Sequence, residues 1–188
     1  MENKIKIIAL FGKSASGKDT ILHWLLDHLD NTWGIVSCTT RPPRDYEKDG
    51  IDYHFISMEK FTEKILDHTM LEATDFNHWF YGTPIESLNK DKINIGVFNV
   101  DGINCLSEDP RIEIYPIYIY ADDKVRLLRS LNREKSPNCA EICRRYFTDE
   151  KDFVDERYDF DYQTFINNGN ELNVNALLDL VQGLGIIK

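Results

Sequence analysis

The sequence has few cysteines, no long apolar run and no excess of basic residues, and each of these absences excludes a class of protein. The four cysteines (Cys38, Cys105, Cys139 and Cys143) match neither a disulfide framework nor a common zinc-binding spacing. No apolar run approaches the roughly 20 residues that a membrane-spanning helix needs. The formal net charge of −10 disfavours nonspecific nucleic-acid binding, which requires many phosphates to be neutralised. We therefore expect a protein that binds neither membranes nor nucleic acids.

The length and the N-terminal residues bound the class of protein further. A chain of 188 residues, with 42% hydrophobic and 29% charged residues, is typical of one soluble globular domain with a full core. The first residues enter a strand pattern directly and lack the layout of a signal peptide. We therefore expect a cytoplasmic location.

Apolar strand patterns alternate with helix patterns along the chain. The strand patterns cover 4–11, 34–37, 94–100, 112–120 and 163–166, and the helix patterns cover 18–29, 85–90, 122–131, 140–153 and 171–182. This alternation predicts an α/β fold in which a mostly parallel sheet carries helices on both faces. Two segments, 38–82 and 129–147, interrupt the alternation and are predicted to be insertions on the core. The first of them shows a short extended piece near 53–57 and a helical piece near 58–67.

A glycine-bounded loop lies between the first strand pattern and the first helix pattern. Its sequence is Gly12-Lys13-Ser14-Ala15-Ser16-Gly17-Lys18-Asp19-Thr20. Glycines permit backbone angles that turn successive N–H groups toward a phosphate, and the following helix directs its positive dipole end to the same point. We therefore predict that the loop binds the phosphates of a nucleoside triphosphate, with Lys18 on the outer phosphates. Asp19 stands where a serine or threonine normally ligates Mg²⁺, and its carboxylate is the candidate metal ligand.

A second anion-binding motif lies in 37–55. Arg41 and Arg44, stiffened by two prolines, suit a two-pronged grip on a phosphate, and Glu47 could hold one guanidinium in place. Together with the loop, this segment resembles the nucleotide-monophosphate region of the guanylate kinase family. The family pattern is a serine, a TTR triplet, a second arginine three residues later, a glutamate, a glycine and a tyrosine; the matching residues are Ser37, Thr39, Thr40, Arg41, Arg44, Glu47, Gly50 and Tyr53.

The resemblance continues downstream and implies a guanine pocket. The stretches 71–73 and 79–83 are similar to the part of the family that completes this pocket. By resemblance, Glu72 accepts hydrogen bonds from guanine N1–H and the exocyclic amine, while Ser37 and Thr83 donate toward the carbonyl oxygen. Tyr53 and Tyr81 would hold the monophosphate together with the two arginines.

Two further parts of the chain resemble the family. Asp101 is the second aspartate of the family's D-x-D pair and is included among the expected GMP contacts, whereas Asn99 replaces the first aspartate. The region 125–145 resembles the family's lid, in which the candidates for phosphate and nucleotide contacts are Arg129, Arg133 and Arg145. Arg126 and Arg144 are expected to be solvated.

The resemblance covers nearly the whole chain and implies both a fold and a reaction. The fold is one guanylate kinase-like domain over 1–188 of the P-loop NTPase type, with three α/β/α layers. Its core is 1–37, 83–128 and 148–188, its NMP-binding segment is 38–82 and its lid is 129–147. The implied reaction is phosphoryl transfer from ATP to GMP, and to dGMP, with Mg²⁺ as cofactor. The residues implied in catalysis are Lys18, Arg41, Arg44, Arg133 and Arg145.

The expected partners are therefore small nucleotides, and the chain is expected to be a monomer or a homodimer. Three alternatives are open at this point. The Gly-Lys-Asp ending of the loop is similar to that of ribose bisphosphate phosphokinases, although those enzymes have no use for a guanine pocket. A deoxynucleotide kinase with broader base tolerance is the second alternative. The third is an inactive guanylate-kinase-like module that binds proteins, which the intact loop glycines and lysine argue against.

Overall fold

The computed structural model describes residues 4–44, 47–76, 78–133, 135–154 and 157–187. The strands in these ranges are β1 (Ile5–Phe11), β2 (Thr32–Gly34), β3 (Cys38–Thr39), β4 (His54–Phe55), β5 (Met70–Phe76), β6 (Trp79–Pro84), β7 (Ile93–Val97), β8 (Ile112–Tyr120) and β9 (Gln163–Ile166). The α-helices in the same ranges are α1 (Lys18–His28), α2 (Met58–Leu66), α3 (Val100–Glu108), α4 (Asp123–Asn132), α5 (Cys139–Asp152) and α6 (Val174–Gly183). A 3₁₀ turn covers Ile85–Ser87.

β1 is the centre of a five-stranded parallel sheet with the order β2-β7-β1-β8-β9. Successive side chains of a strand point to opposite faces, and both faces of β1 are apolar. Ile8 and Leu10 belong to a core cluster with α1 and α6, while Ile7 and Ala9 belong to a second cluster with α3. Helices thus cover both faces of the sheet, which confirms the predicted α/β fold class.

A second sheet, with the order β4-β3-β6-β5, is built from the 38–84 part of the chain. β5 and β6 form an antiparallel hairpin in which Ala73 pairs with Gly82. α2 packs on this sheet through Phe61, whose ring centroid is 5.7 Å from that of Phe80. The extended piece near 53–57 and the helix near 58–67 are confirmed as β4 and α2, but the hairpin was not predicted.

Three other sequence predictions are wrong. The strand expected at 34–37 lies earlier in the chain, because β2 covers Thr32–Gly34 and residues 35–37 lie outside any strand. The helix expected at 85–90 is only the 3₁₀ turn, after which Leu88 is extended with φ −90° and ψ 143°. The strand expected at 94–100 ends early, and the unpredicted α3 follows it. Asn99 caps α3, because its side-chain oxygen accepts a hydrogen bond from the Gly102 N–H at 2.7 Å. An asparagine followed by apolar residues at helical spacing was the available signal.

The expectations from composition concern the states of the cysteines and the lengths of the helices. All four cysteines are free thiols; Cys38 is buried and the other three are exposed. Across the described residues, no helix has both the length and the apolar character needed to cross a membrane.

Candidate active site

The 12–20 loop connects β1 to α1, and its two glycines hold positions that other residues could take only with strain. Gly12 has φ +144°, and a Cβ atom there would lie 2.5 Å from the carbonyl oxygen of Ile119. Gly17 has φ +101°, and a Cβ atom there would lie 2.4 Å from Nδ2 of Asn167. L-residues with a side chain rarely adopt such angles. The glycines therefore set the shape of the loop, and α1 begins at Lys18, directly after Gly17.

Lys18 folds back over the 12–20 loop. Its ammonium donates hydrogen bonds to the carbonyl oxygens of Gly12 at 2.8 Å and Lys13 at 3.1 Å. Burial lowers the pKa of Lys18, an effect that two neighbouring carboxylates oppose and two neighbouring arginines increase. The two bonds use two of the three N–H donors of the ammonium and hold it at the loop. An anion bound there would meet a positive charge that is already in position.

Asp149 of α5, which no sequence motif singled out, binds the first half of the loop. Its carboxylate accepts hydrogen bonds from the backbone N–H of Ser14 at 2.7 Å and from the Ser14 hydroxyl at 3.1 Å. It also pairs with Nη1 of Arg126 at 3.1 Å, and both side chains are buried. Arg126 further contacts Asp123 at 2.8 Å and Glu150 at 3.2 Å. The prediction that Arg126 is solvated is therefore wrong, because converging carboxylates compensate the cost of burying its charge.

The second half of the loop is held at the carbonyl oxygen of Ser16. Nδ2 of Asn167 donates to this oxygen at 2.8 Å, and Nη1 of Arg129 donates to it at 3.2 Å. Nη2 of Arg129 donates to the carbonyl oxygen of Gly169 at 2.8 Å. Arg129, a predicted nucleotide contact, thus binds main-chain carbonyls that hold the loop in place.

Glu47 holds both arginines of the second motif. Arg41 donates from Nη1 and Nη2 to its two carboxylate oxygens, each at 2.9 Å. Arg44 donates from its backbone N–H at 2.7 Å and from Nη1 at 3.1 Å. Burial would raise the pKa of Glu47, but the hydrogen bonds from the arginines outweigh it and lower the pKa, so the carboxylate is ionised at neutral pH. The guanidinium carbon of Arg41 also lies 5.6 Å from the ring centroids of Tyr53 and Phe55.

Glu72, Thr83 and Ser37 form a buried polar chain at the second sheet. The Thr83 hydroxyl donates to Oε1 of Glu72 at 2.7 Å, and the hydroxyls of Ser37 and Thr83 are 3.2 Å apart. Glu72 is 8% exposed, and burial raises its pKa to about 7 although the bonds from Thr83 act in the opposite direction. Gly102 of α3 leaves room for Oε2, because a Cβ atom at this position would lie 3.2 Å from it. A buried carboxylate with unused acceptor positions is a strong site for ligand N–H donors.

Residues of the 12–20 loop and of the second sheet line one cavity of about 200 Å³. The predicted residues on its wall are Gly12, Ser14, Ala15, Gly17, Lys18, Asp19, Thr20, Ser37, Arg44, Tyr53, Glu72, Tyr81, Arg133 and Arg145. Its cations are Lys18, Arg44, Arg133 and Arg145, collected in a chain whose net charge is −10. The wall also carries the carboxylates of Asp19, Glu72 and Asp149, so the four cations are the charged groups there that can bind an anionic ligand.

Three predicted residues do not line this cavity. Ser16 is fully buried in the loop. Arg41 is held by Glu47, as described above, and Thr83 is fully buried behind Glu72. Arg41 shares Glu47 with Arg44 of the wall, and Thr83 donates a hydrogen bond to Glu72 of the wall.

Asp101 also lies off the cavity wall. Nη2 of Arg157 donates to its two carboxylate oxygens at 2.8 and 2.7 Å. Arg157 pairs in addition with Asp152 at the end of α5, at 2.8 Å. The ion pair with Arg157 therefore joins α3 to the segment after α5. No sequence spacing indicated this contact. Asn99, which replaces the first aspartate of the pair, lines the cavity and donates to the Thr74 hydroxyl at 2.6 Å.

The described residues hold no group of three or more His, Cys, Asp or Glu side chains that could bind a metal ion. Mg²⁺ that arrives with a nucleotide takes most of its ligands from phosphates and water, and needs only one or two protein carboxylates. Asp19 is exposed at the start of α1 and lies on the cavity wall. It fits a site of this kind.

The chain is similar to known proteins over nearly its whole length. A family model described as guanylate kinase matches residues 4–182. A guanylate kinase of Prochlorococcus marinus (strain MIT 9312) is 30% identical over 187 residues, which cover 97% of this chain and 100% of the relative. A guanylate kinase of Campylobacter jejuni (strain RM1221) is 30% identical over 176 residues, covering 91% of this chain and 85% of the relative.

A solved structure shows the same fold. The crystal structure of guanylate kinase from Anaplasma phagocytophilum superimposes with a TM-score of 0.65 at 24% sequence identity, covering 98% of this chain and 86% of that one. The family model and the 30% identical relative from Prochlorococcus both span nearly the whole chain, which confirms the resemblance seen in the motifs. The chain belongs to the guanylate kinase family.

Proposed function

We propose that the chain transfers the terminal phosphoryl group of ATP to GMP, giving ADP and GDP, and that dGMP is a second acceptor. The observation that carries this proposal is that one cavity is lined both by the 12–20 loop and by Arg44, Tyr53, Tyr81 and Glu72. Phosphoryl transfer requires the donor and acceptor phosphates in line, with positive charge around the migrating group. Two candidate anion sites that line one cavity support an arrangement of this kind.

The 12–20 loop is the proposed site of the ATP phosphates. Its residues 12–17 lead into the N-terminus of α1 at Lys18, where N–H groups and the helix dipole favour an anion. Lys18 would bind the outer phosphates with the N–H donor that its bonds to the loop leave over. Since these bonds fix the ammonium before the ligand arrives, little reorganisation accompanies the reaction.

The second sheet and the arginine segment are the proposed site of GMP. Arg44, Tyr53 and Tyr81 would contact the acceptor phosphate, while Arg41 supports them through Glu47 and through the Tyr53 ring. Guanine offers two N–H donors to the Glu72 carboxylate. Adenine offers an acceptor at the same edge, which would leave a buried carboxylate unpaired, so AMP should be rejected strongly.

Arg133 and Arg145 are proposed to neutralise charge that spreads over the transferred oxygens. Mg²⁺, with Asp19 as its protein carboxylate, would add positive charge at the ATP phosphates. No general base is needed, because the acceptor phosphate is ionised at neutral pH. The division into a core, an NMP-binding segment (38–82) and a lid (129–147) is part of this proposal.

An ADP-release assay with GMP, dGMP, AMP, UMP and a ribose bisphosphate as acceptors tests the proposal. We expect turnover with GMP and dGMP, and a preference over AMP on the order of 10⁴-fold in kcat/KM. Equal use of AMP would favour a kinase of broad base tolerance, and turnover with the ribose bisphosphate alone would favour that phosphokinase. A folded protein that releases no ADP with any acceptor would favour the protein-binding module.

Lys18→Ala provides the mechanistic control for this assay. It should lower kcat by about 10²–10³-fold, the loss expected when one prepositioned donor at the transition state is removed. Lys64→Ala, which removes a partly exposed lysine paired with Glu86 on the surface, is the matched variant and should retain activity. Near-normal turnover of Lys18→Ala would contradict the assigned role. The cytoplasmic location, the absence of nucleic-acid partners and the monomeric or homodimeric state stay predictions.

A further inference from the structure

Asp149 has no part in the mechanism proposed above, although it lines the same cavity. Its side chain is 2% exposed. It accepts two hydrogen bonds from Ser14, which lies 135 residues earlier in the chain, and it pairs with the buried Arg126. A buried carboxylate that is satisfied by a backbone N–H, a hydroxyl and a guanidinium is a rigid attachment. Asp149 therefore fastens α5 to the first half of the 12–20 loop.

Arg145 lies four residues before Asp149, about one helical turn away on the same face of α5. Both side chains line the main cavity, and both also line a smaller cavity with Ser14 and Arg126. A helix is rigid over one turn. The attachment of Asp149 to Ser14 therefore sets where the backbone of Arg145 lies relative to the loop, and the guanidinium of Arg145 contacts Glu141 at 3.5 Å.

We propose that Asp149 is a positioning residue for the donor nucleotide: it docks α5 on Ser14 and thereby places Arg145 at the phosphates of ATP. This inference rests on the proposed ATP site and does not depend on GMP as acceptor. The alternative role of Asp149 is to weaken ATP binding through its negative charge. If the negative charge of Asp149 mattered only by repelling the phosphates, its removal would strengthen ATP binding.

A double-mutant cycle on ATP binding tests the proposal. The dissociation constant of a non-hydrolysable ATP analogue with Mg²⁺ is measured by calorimetry for the wild type, Asp149→Ala, Arg145→Ala and the double variant. Each single substitution should weaken binding by about tenfold or more, and the double variant should lie within about twofold of Arg145→Ala, because one residue acts through the other. Additive losses, or unchanged or tighter binding by Asp149→Ala, would overturn the proposal.

A conservative variant separates hydrogen bonding from charge. Asp149→Asn keeps an oxygen that can accept the Ser14 N–H, so its affinity should return to within about threefold of the wild type. Affinity as low as that of Asp149→Ala would contradict positioning through this bond. Glu86→Gln is the matched control: it removes an exposed carboxylate that pairs with Lys64 and does not line the cavity, and it should change affinity by less than about twofold.

Two further measurements keep the outcomes distinct. Thermal unfolding of every variant shows whether α5 and the core are intact, and Asp149→Ser replaces Asp149→Ala in the cycle if the alanine variant does not fold. GMP turnover of the wild type is measured in parallel. Its absence would contradict the proposed function, while the binding cycle would still decide the role of Asp149.

Discussion

Glu72→Gln separates what the buried carboxylate costs the fold from what it contributes to binding. Burial raises the pKa of Glu72 from 4.5 to about 7. Because the pKa is higher in the folded state, folding favours the protonated form. The stability that this group contributes is fully present below the unfolded pKa and is lost as the pH rises through the folded pKa. The loss amounts to about 3 kcal/mol, since each tenfold change in the ionisation constant corresponds to about 1.36 kcal/mol.

The glutamine variant is neutral at every pH and does not undergo this loss. The difference in free energy of unfolding, variant minus wild type, should therefore increase by about 2.5 kcal/mol between pH 5 and pH 8. Urea denaturation followed by circular dichroism at several pH values measures it. The pH-dependent part of the difference isolates the ionisation of Glu72, because steric effects of the substitution are the same at each pH.

The GMP affinity of the wild type should depend on pH in the opposite sense to its stability: stability falls as the pH rises, whereas GMP affinity should fall as the pH decreases. Only the ionised carboxylate accepts both guanine N–H groups, so GMP affinity of the wild type should fall by about tenfold for each pH unit below about 7. The phosphate of GMP titrates in the same range, and the pH profile of Glu72→Gln provides the correction for it. A stability difference that is independent of pH, together with parallel binding profiles for the two proteins, would refute the assignment of Glu72.

Three further substitutions test the rest of the site. Gly17→Ala places a Cβ atom 2.4 Å from Nδ2 of Asn167 and should weaken ATP binding by about tenfold or more. Gly183→Ala is the control, because no atom lies within 4 Å of its Cβ position, and it should leave ATP affinity unchanged. Equal ATP affinities of the two variants in calorimetry would contradict the strain argument. Glu47→Gln releases the arginine pair and should raise KM for GMP by about tenfold with a smaller change in kcat, so an unchanged KM would show that the pair needs no such anchor. Asp19→Ser restores a hydroxyl ligand and should shift the Mg²⁺ concentration for half-maximal turnover; an unchanged Mg²⁺ titration would count against Asp19 as a ligand.

The features that the sequence determined are local ones. The 12–20 loop needs only two glycines at the right spacing between a strand and a helix, and the structure shows both at positive φ. The pair Arg41 and Arg44 with Glu47 is also local, because the three residues lie within seven positions of one another and meet through short-range hydrogen bonds. The parallel sheet follows from apolar strands in regular alternation with helices.

The features that only the tertiary structure decided join distant parts of the chain. Arg126 was expected to be solvated, but carboxylates of its own helix and of α5 surround it. Asp149 has no motif, and its contact with Ser14 exists because α5 packs beside the loop. Periodicity reports which face of a helix is apolar, but it does not report which charges of other elements will meet a side chain once the chain has folded. A buried ionic group is stable only when such partners converge, so its role cannot be determined before the packing is known.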